Sequence, residues 1–204
     1  MKRVPVLPTL VVAIAVAIMI GLGWWQIFDR LPRKEAYLAQ LAANPAKPPI
    51  AFPATPDDRL LFRRATGECR PPVTTRRAGA GSAGYRIIAD CSGSDMTVQL
   101  GTTRDPTAQI AWAGGMVTGY LSHAPTGQSV IGAAFAASGA APMILVADTP
   151  PAGLSANARP DLSAVPNNHL AYGVQWFAFA AIATIIYALA VLWRRPVRPV
   201  RPQA

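Results

Sequence analysis

The sequence predicts a membrane protein in which two transmembrane helices flank one β-rich extramembrane domain, of α+β type with a mainly antiparallel sheet. Three observations predict it. Two uncharged apolar runs of 22 residues each, Leu7–Phe28 and Tyr172–Trp193, stand near the two ends of the 204-residue chain. The stretch between them breaks into short β-branched and aromatic runs separated by Gly, Ser, Asp and Pro, which is how strands read. Basic residues gather just outside the apolar runs, as they do beside membrane spans. The division that follows is a tail at 1–6, a first span at 7–28, a short helix and proline-rich linker at 29–59, the β-rich domain at 60–166, a second span at 167–193 and a basic tail at 194–204.

At about 1.5 Å per residue the first run reaches roughly 33 Å, enough to cross a bilayer core. Lys2 and Arg3 before it also suit a signal peptide. The run is longer than a usual signal core, and it ends in Gly-Trp-Trp-Gln where a small-x-small cleavage site would be needed, which favours a retained anchor. Trp24 and Trp25 at its far end, with Tyr172 and Trp176 at the start of the second run, suit one headgroup level.

Of the 19 basic residues, Lys2, Arg3, Arg194, Arg195, Arg198 and Arg201 lie in the tails, and the remaining 13 face all 10 acidic residues. The formal charge of +9 therefore marks topology and lipid contact, not a phosphate-binding stripe, and nucleic acid is not a partner. Basic tails on both sides place both termini in the cytoplasm and the middle domain on the outer side, the periplasm for a bacterial inner membrane or the intermembrane space for a mitochondrion. Arg30, Arg33 and Lys34, directly after the first run, pull the other way.

Arg33–Ala43 reads as a short helix ended by Asn44-Pro45, and Pro48–Asp58 as a linker. Strands are expected in the runs at 60–69, 85–91, 96–100, 111–121, 129–135 and 142–148, six or seven in all, with Ser92-Gly93-Ser94-Asp95 as a hairpin turn. Alanine blurs the pattern at 133–141, where a helix competes. Cys69 and Cys91 stand next to expected strands; they are either a disulfide or two buried thiols, and spacing alone does not decide.

Enzyme motifs are lacking: there is no G-x-S-x-G, P-loop or H-E-x-x-H. Ser122-His123 are mere neighbours, and Asp57-Asp58 sit in the linker where solvation explains them. The five methionines are scattered and no Cys/His spacing suits a metal cluster. The remaining candidate is His169 in PNNHLAYGVQWF, at the threshold of the second span. On a helix it shares a face with Tyr172 and Trp176. Asn167 or Asn168 would cap the helix start, with Pro166 holding the entry extended. Gly173, one turn on, admits a flat group or another helix, and Gln175 is placed to bond across to the first span. The imidazole itself is either interfacial or a metal ligand.

PNNHLAYGVQWF at the opening of a C-terminal span resembles the signature of the surfeit locus protein 1 family. LGWWQIFDRLPRK, residues 22–34, is similar to that family's other hallmark, with Gly23, Trp25, Gln26, Arg30 and Lys34 matching in kind and the Gln26-to-Arg30 spacing one residue longer. Phe62 to Gly67, Gly84-Tyr85 and Val117-Thr118-Gly119 fit the looser middle pattern. The chain departs where the family has Arg-Gly-Trp after a valine-rich strand: Leu100-Gly101-Thr102 keeps only the glycine. The resemblance implies a divergent bacterial-type assembly factor for haem–copper cytochrome c oxidase, not an enzyme. It implies haem a as transient cargo, with His169 as ligand to the haem iron. It also implies the oxidase catalytic subunit as partner, with haem A synthase as a second candidate. Tyr172, Trp176 and Trp25 would face the ring, and Arg30, Arg33 or Lys34 would meet its carboxylates. The alternative is a membrane chaperone that stabilises that subunit without touching haem.

Overall fold

A computed structural model describes residues 5–125 and 141–193 and divides the chain into two compact units. The first comprises residues 1–36 and 166–204, the second residues 37–165. The expected strand at 129–135, most of the blurred segment at 133–141 and the basic residues of both tails lie outside the described residues.

The first unit is a helical hairpin of α1 (Val6–Trp25) and α3 (His169–Leu192). Helix α1 runs through one π-turn, Gln26–Arg30, into α2 (Leu31–Ala43), which belongs to the second unit from Tyr37 onward. Both α1 and α3 are long and apolar enough to cross a membrane. Val11, Ile14 and Ile18 on α1 and Ile182 and Ile186 on α3 are more than half exposed. Apolar side chains around the whole circumference have no favourable solvent in water and are at home in hydrocarbon. The span and the short helix of the sequence reading are thus one uninterrupted helical run. Pro32 does not break it because the π-turn lies immediately before: the ring would collide with the carbonyl four residues back in a regular helix, and a widened turn removes that register. The Leu31 N–H reaches the Gln26 carbonyl, five residues back.

Three pairs of neighbours show α1 and α3 antiparallel and in step. Thr9 hydrogen-bonds Tyr187 near the start of α1, Gly23 meets Gly173, and Gln26 meets His169 at the opposite rim. Gly23 and Gly173 are buried. A Cβ on Gly173 would enter the Ile27 side chain, and one on Gly23 would sit 3.0 Å from the Phe177 ring and 3.2 Å from the Gly173 carbonyl. Small residues are what lets two helices approach this closely where no hydrophobic effect drives them together.

The second unit holds a seven-stranded sheet in the order β1-β2-β6-β7-β5-β4-β3. The strands are β1 (Ile50–Ala51), β2 (Arg64–Cys69), β3 (Val73–Gly79), β4 (Tyr85–Cys91), β5 (Met96–Thr103), β6 (Gly115–His123) and β7 (Met143–Ala147). Pairing is antiparallel except for β1/β2 and β5/β7. β2 and β3 stand five positions apart, about 24 Å on a flat sheet. Only Arg70, Pro71 and Pro72 join them, and that link spans at most about 14 Å. The sheet must therefore curl until its β2 and β3 sides nearly meet. The Cys69–Cys91 disulfide, with Cα atoms 5.3 Å apart, ties β2 to β4 across the same gap. This settles the choice left open between a disulfide and free thiols.

The buried core includes Ala65, Ile87, Ala89, Val98, Leu100, Leu121 and Leu145, with Leu41 of α2 fully buried against it. Asn44 follows α2 and is equally buried. Its amide donates to the carbonyls of Arg59 and Leu61, both at 2.8 Å, and its oxygen accepts from Lys47. That accounts for every polar atom of its side chain apart from spare acceptor capacity, so it is a satisfied structural residue.

Candidate functional site

The rim of the hairpin is built by the turn that enters α3. Val165 before Pro166 is extended, at φ −91° and ψ 105°, as the proline ring requires. Asn168 takes the N-cap position at φ −101° and ψ 7°, and its carbonyl accepts from the Tyr172 N–H at 3.0 Å. Its side chain makes no cap bond, and Asn167 Oδ1 is buried without a protein partner. The expected asparagine cap is therefore not made: ψ near 0° at Asn168 is not the extended N-cap geometry that aims a side-chain oxygen at the first turn.

His169 opens α3 half-buried, and its Nδ1 lies 2.7 Å from Gln26 Oε1 on the other helix. The face of α3 turned to α1 carries His169, Gly173 and Phe177. Tyr172 stands to its side, half exposed. Trp176 is half-buried and meets Phe179 edge-on, with ring centroids 6.2 Å apart. On α1, Trp24 stacks on Phe28 at 4.1 Å, while the Arg30 guanidinium lies 4.5 Å above the Trp25 ring. The stagger of the two helices puts Trp24, Trp25 and Tyr172 near one level and Trp176 a turn deeper. Asp29 binds Arg33 at 2.5 Å and approaches Arg30 at 3.9 Å. Both arginines remain about half or more exposed, so they keep donors for a further anion.

Of the two occupants expected at Gly173, a flat group or another helix, the other helix takes the opening. One expectation is corrected: the bond across the hairpin comes from Gln26, while Gln175 is exposed. Gln26 carries no evident role within its motif; its signal in the sequence is a lone amide in the last turn of the first apolar span. Between the helices, deeper in, lies an open groove of about 430 Å³ lined by Val16, Ile20, Phe177, Ala180, Ala181, Thr184 and Ile185.

The sheet unit offers less chemistry. His123 Nε2 pairs with Asp58 at 2.9 Å, and Asp57 grips Arg59. Hydrogen bonds from the Arg59 side chain and backbone hold the Asp57 carboxyl below its usual range. The two aspartates thus face different partners and do not act as a pair. Among the described residues, no group of three or more His, Cys, Asp or Glu is placed to hold a metal ion.

The SURF1 family model matches residues 13–181, most of the chain, and covers the sheet and part of each span. The chain belongs to the SURF1 family. That family is known for cytochrome c oxidase assembly, and it is a family of assembly factors. No curated protein and no solved structure matched. The Leu100-Gly101-Thr102 segment is tightly held in the sheet unit. Leu100 is buried in the core, and a Cβ on Gly101 would lie 2.7 Å from the Ser155 carbonyl. Thr102 and Ser155 exchange backbone hydrogen bonds of 3.0 and 2.8 Å. In this SURF1 protein the segment is a strand clamped under a crossing loop, with Leu100 in the core.

Proposed function

We propose that this SURF1 protein is an inner-membrane assembly factor that carries haem a and assists its insertion into the catalytic subunit of cytochrome c oxidase. His169 is the ligand to the iron. One observation carries the reading: an imidazole stands half-buried at the rim of a two-helix membrane hairpin, with one ring nitrogen held by Gln26 and the other without a partner among the described residues. A neutral imidazole with a free nitrogen is a standard axial ligand.

The surrounding residues suit a flat, apolar, twice-carboxylated cargo. Tyr172 and Trp25 offer half-exposed aromatic faces at the level of His169, and Arg30 and Arg33 offer charge-assisted hydrogen bonds to carboxylates just beyond. Because the helices touch at Gly23 and Gly173, the ring lies against the flank of the hairpin and not between its helices. A single protein ligand and an open flank suit a carrier, which must let its cargo go. The central domain faces the periplasm in this reading, with both termini in the cytoplasm.

Coexpression with a haem A synthase, purification and visible spectroscopy test the proposal. Wild-type protein is expected to carry haem a; His169→Ala is expected to insert normally and to lose most of it. An unchanged haem a spectrum in the variant removes His169 from the role.

The closed helix crossing favours a second reading, a chaperone that holds the catalytic subunit and never binds haem. Copurification with that subunit in the absence of any haem absorbance would establish it over the first.

A further inference from the structure

We infer that Gln26 is a positioning residue for His169, selecting the tautomer and ring orientation that leave Nε2 as the free ligand nitrogen. The inference rests on the haem reading above and adds a residue to it.

The contact is between His169 Nδ1 and the Gln26 amide oxygen, at 2.7 Å and across 143 residues of sequence. A carbonyl oxygen only accepts, so the hydrogen belongs to Nδ1. In the neutral ring the lone pair is then on Nε2, the nitrogen pointing away from Gln26. A histidine that binds a metal commonly donates its other N–H to such an acceptor, which fixes the ring and raises its basicity.

The backbone around Gln26 serves this contact. Gly23, one turn before it, lets α3 approach closely enough for a glutamine to reach the ring. The π-turn begins at Gln26 itself, and such turns recur at functional sites. The obvious alternative is that the bond merely fastens two helices. The hairpin already holds a bond of that kind at its other end, between Thr9 and Tyr187, and this supplies an internal control.

The test uses the full chain, coexpressed with haem A synthase and purified in detergent. It compares the haem a retained per protein and the iron–histidine stretching band of the reduced ferrous form. Gln26→Leu removes the acceptor and is expected to lower haem retention about 10- to 100-fold, the usual effect of losing a residue that orients a metal-bound histidine. Gln26→Glu restores an acceptor of the same length. It is expected to recover retention and move the iron–histidine band to higher frequency, because a carboxylate draws the Nδ1 proton more strongly. Tyr187→Phe is expected to change neither.

Wild-type retention in Gln26→Leu overturns the inference, as does an equal loss in Tyr187→Phe. Should Gln26→Leu fail to fold, an unshifted band in Gln26→Glu overturns it by itself. Haem retained undiminished in His169→Ala overturns the parent reading; haem lost in His169→Ala but kept in Gln26→Leu overturns only the role of Gln26.

Discussion

At the scale of single residues, the hairpin depends on two glycines and two polar contacts. Gly23 and Gly173 hold the helices at a distance that a methyl group already disturbs. Gly173→Val is therefore expected to push Ile27 aside and destabilise the hairpin by about 1–3 kcal/mol, the usual cost of overpacking. Circular dichroism during unfolding in a denaturing detergent measures it; an unchanged midpoint would show that the crossing tolerates the added bulk. His169 and Gln26 illustrate how one residue is read differently with and without its neighbour. From PNNHLAYGVQWF the histidine is an interfacial residue or a ligand, and the hydrogen bond between its Nδ1 and the Gln26 amide is what distinguishes its two nitrogens.

At the scale of elements, the polar turns outside the spans are set by short side chains that replace backbone partners. Asp161 accepts from the Ser163 N–H at 2.8 Å and from its hydroxyl at 2.6 Å at the start of the Leu162–Ala164 turn. Those bonds favour the ionised form, so its carboxyl titrates below the usual range. A lowered folded-state value means that the turn gains stability above the ordinary carboxylate value and loses it as the pH falls through the folded one. Carbon-detected NMR titration is expected to show this depression, and Ser163→Ala, which removes the hydroxyl donor, is expected to shift the value upward. No movement on substitution would assign the depression to the backbone bond alone. The elements missed from the sequence have a similar local cause. β3 reads Val-Thr-Thr-Arg-Arg-Ala-Gly and is exposed along most of its length, so it lacks the alternation that announces a half-buried strand. β1 is two residues of a proline-rich segment.

At the scale of the whole molecule, the disulfide is the one covalent tie between distant strands. Cross-linking residues 22 apart restricts the unfolded chain by about 3 kcal/mol. The variant with Cys69→Ala and Cys91→Ala, purified as the full chain, is expected to lower Tm of the sheet signal by on the order of 10 °C. A matching fall on adding reductant to wild type would confirm the cause, and an unchanged Tm would mean the curled sheet holds itself. The oxidising compartment expected for this domain is consistent with a formed disulfide.

Much of this architecture is written locally. A span needs only about twenty apolar residues in succession, a hairpin turn only its Ser-Gly-Ser-Asp, and both are decided by neighbours along the chain. The two spans, β4 through to β5, the end of α2 at Asn44-Pro45 and the membership signalled by two motifs were legible for that reason. What no window of sequence contains is which distant residues meet. The curl that carries Cys69 to Cys91, the mixed strand order, the helix that fills the space at Gly173, and the amide that takes one nitrogen of His169 all depend on contacts between segments tens to more than a hundred residues apart. Only folding in three dimensions makes those choices, because only there do geometry and the demand of each polar group for a partner select one pairing among many.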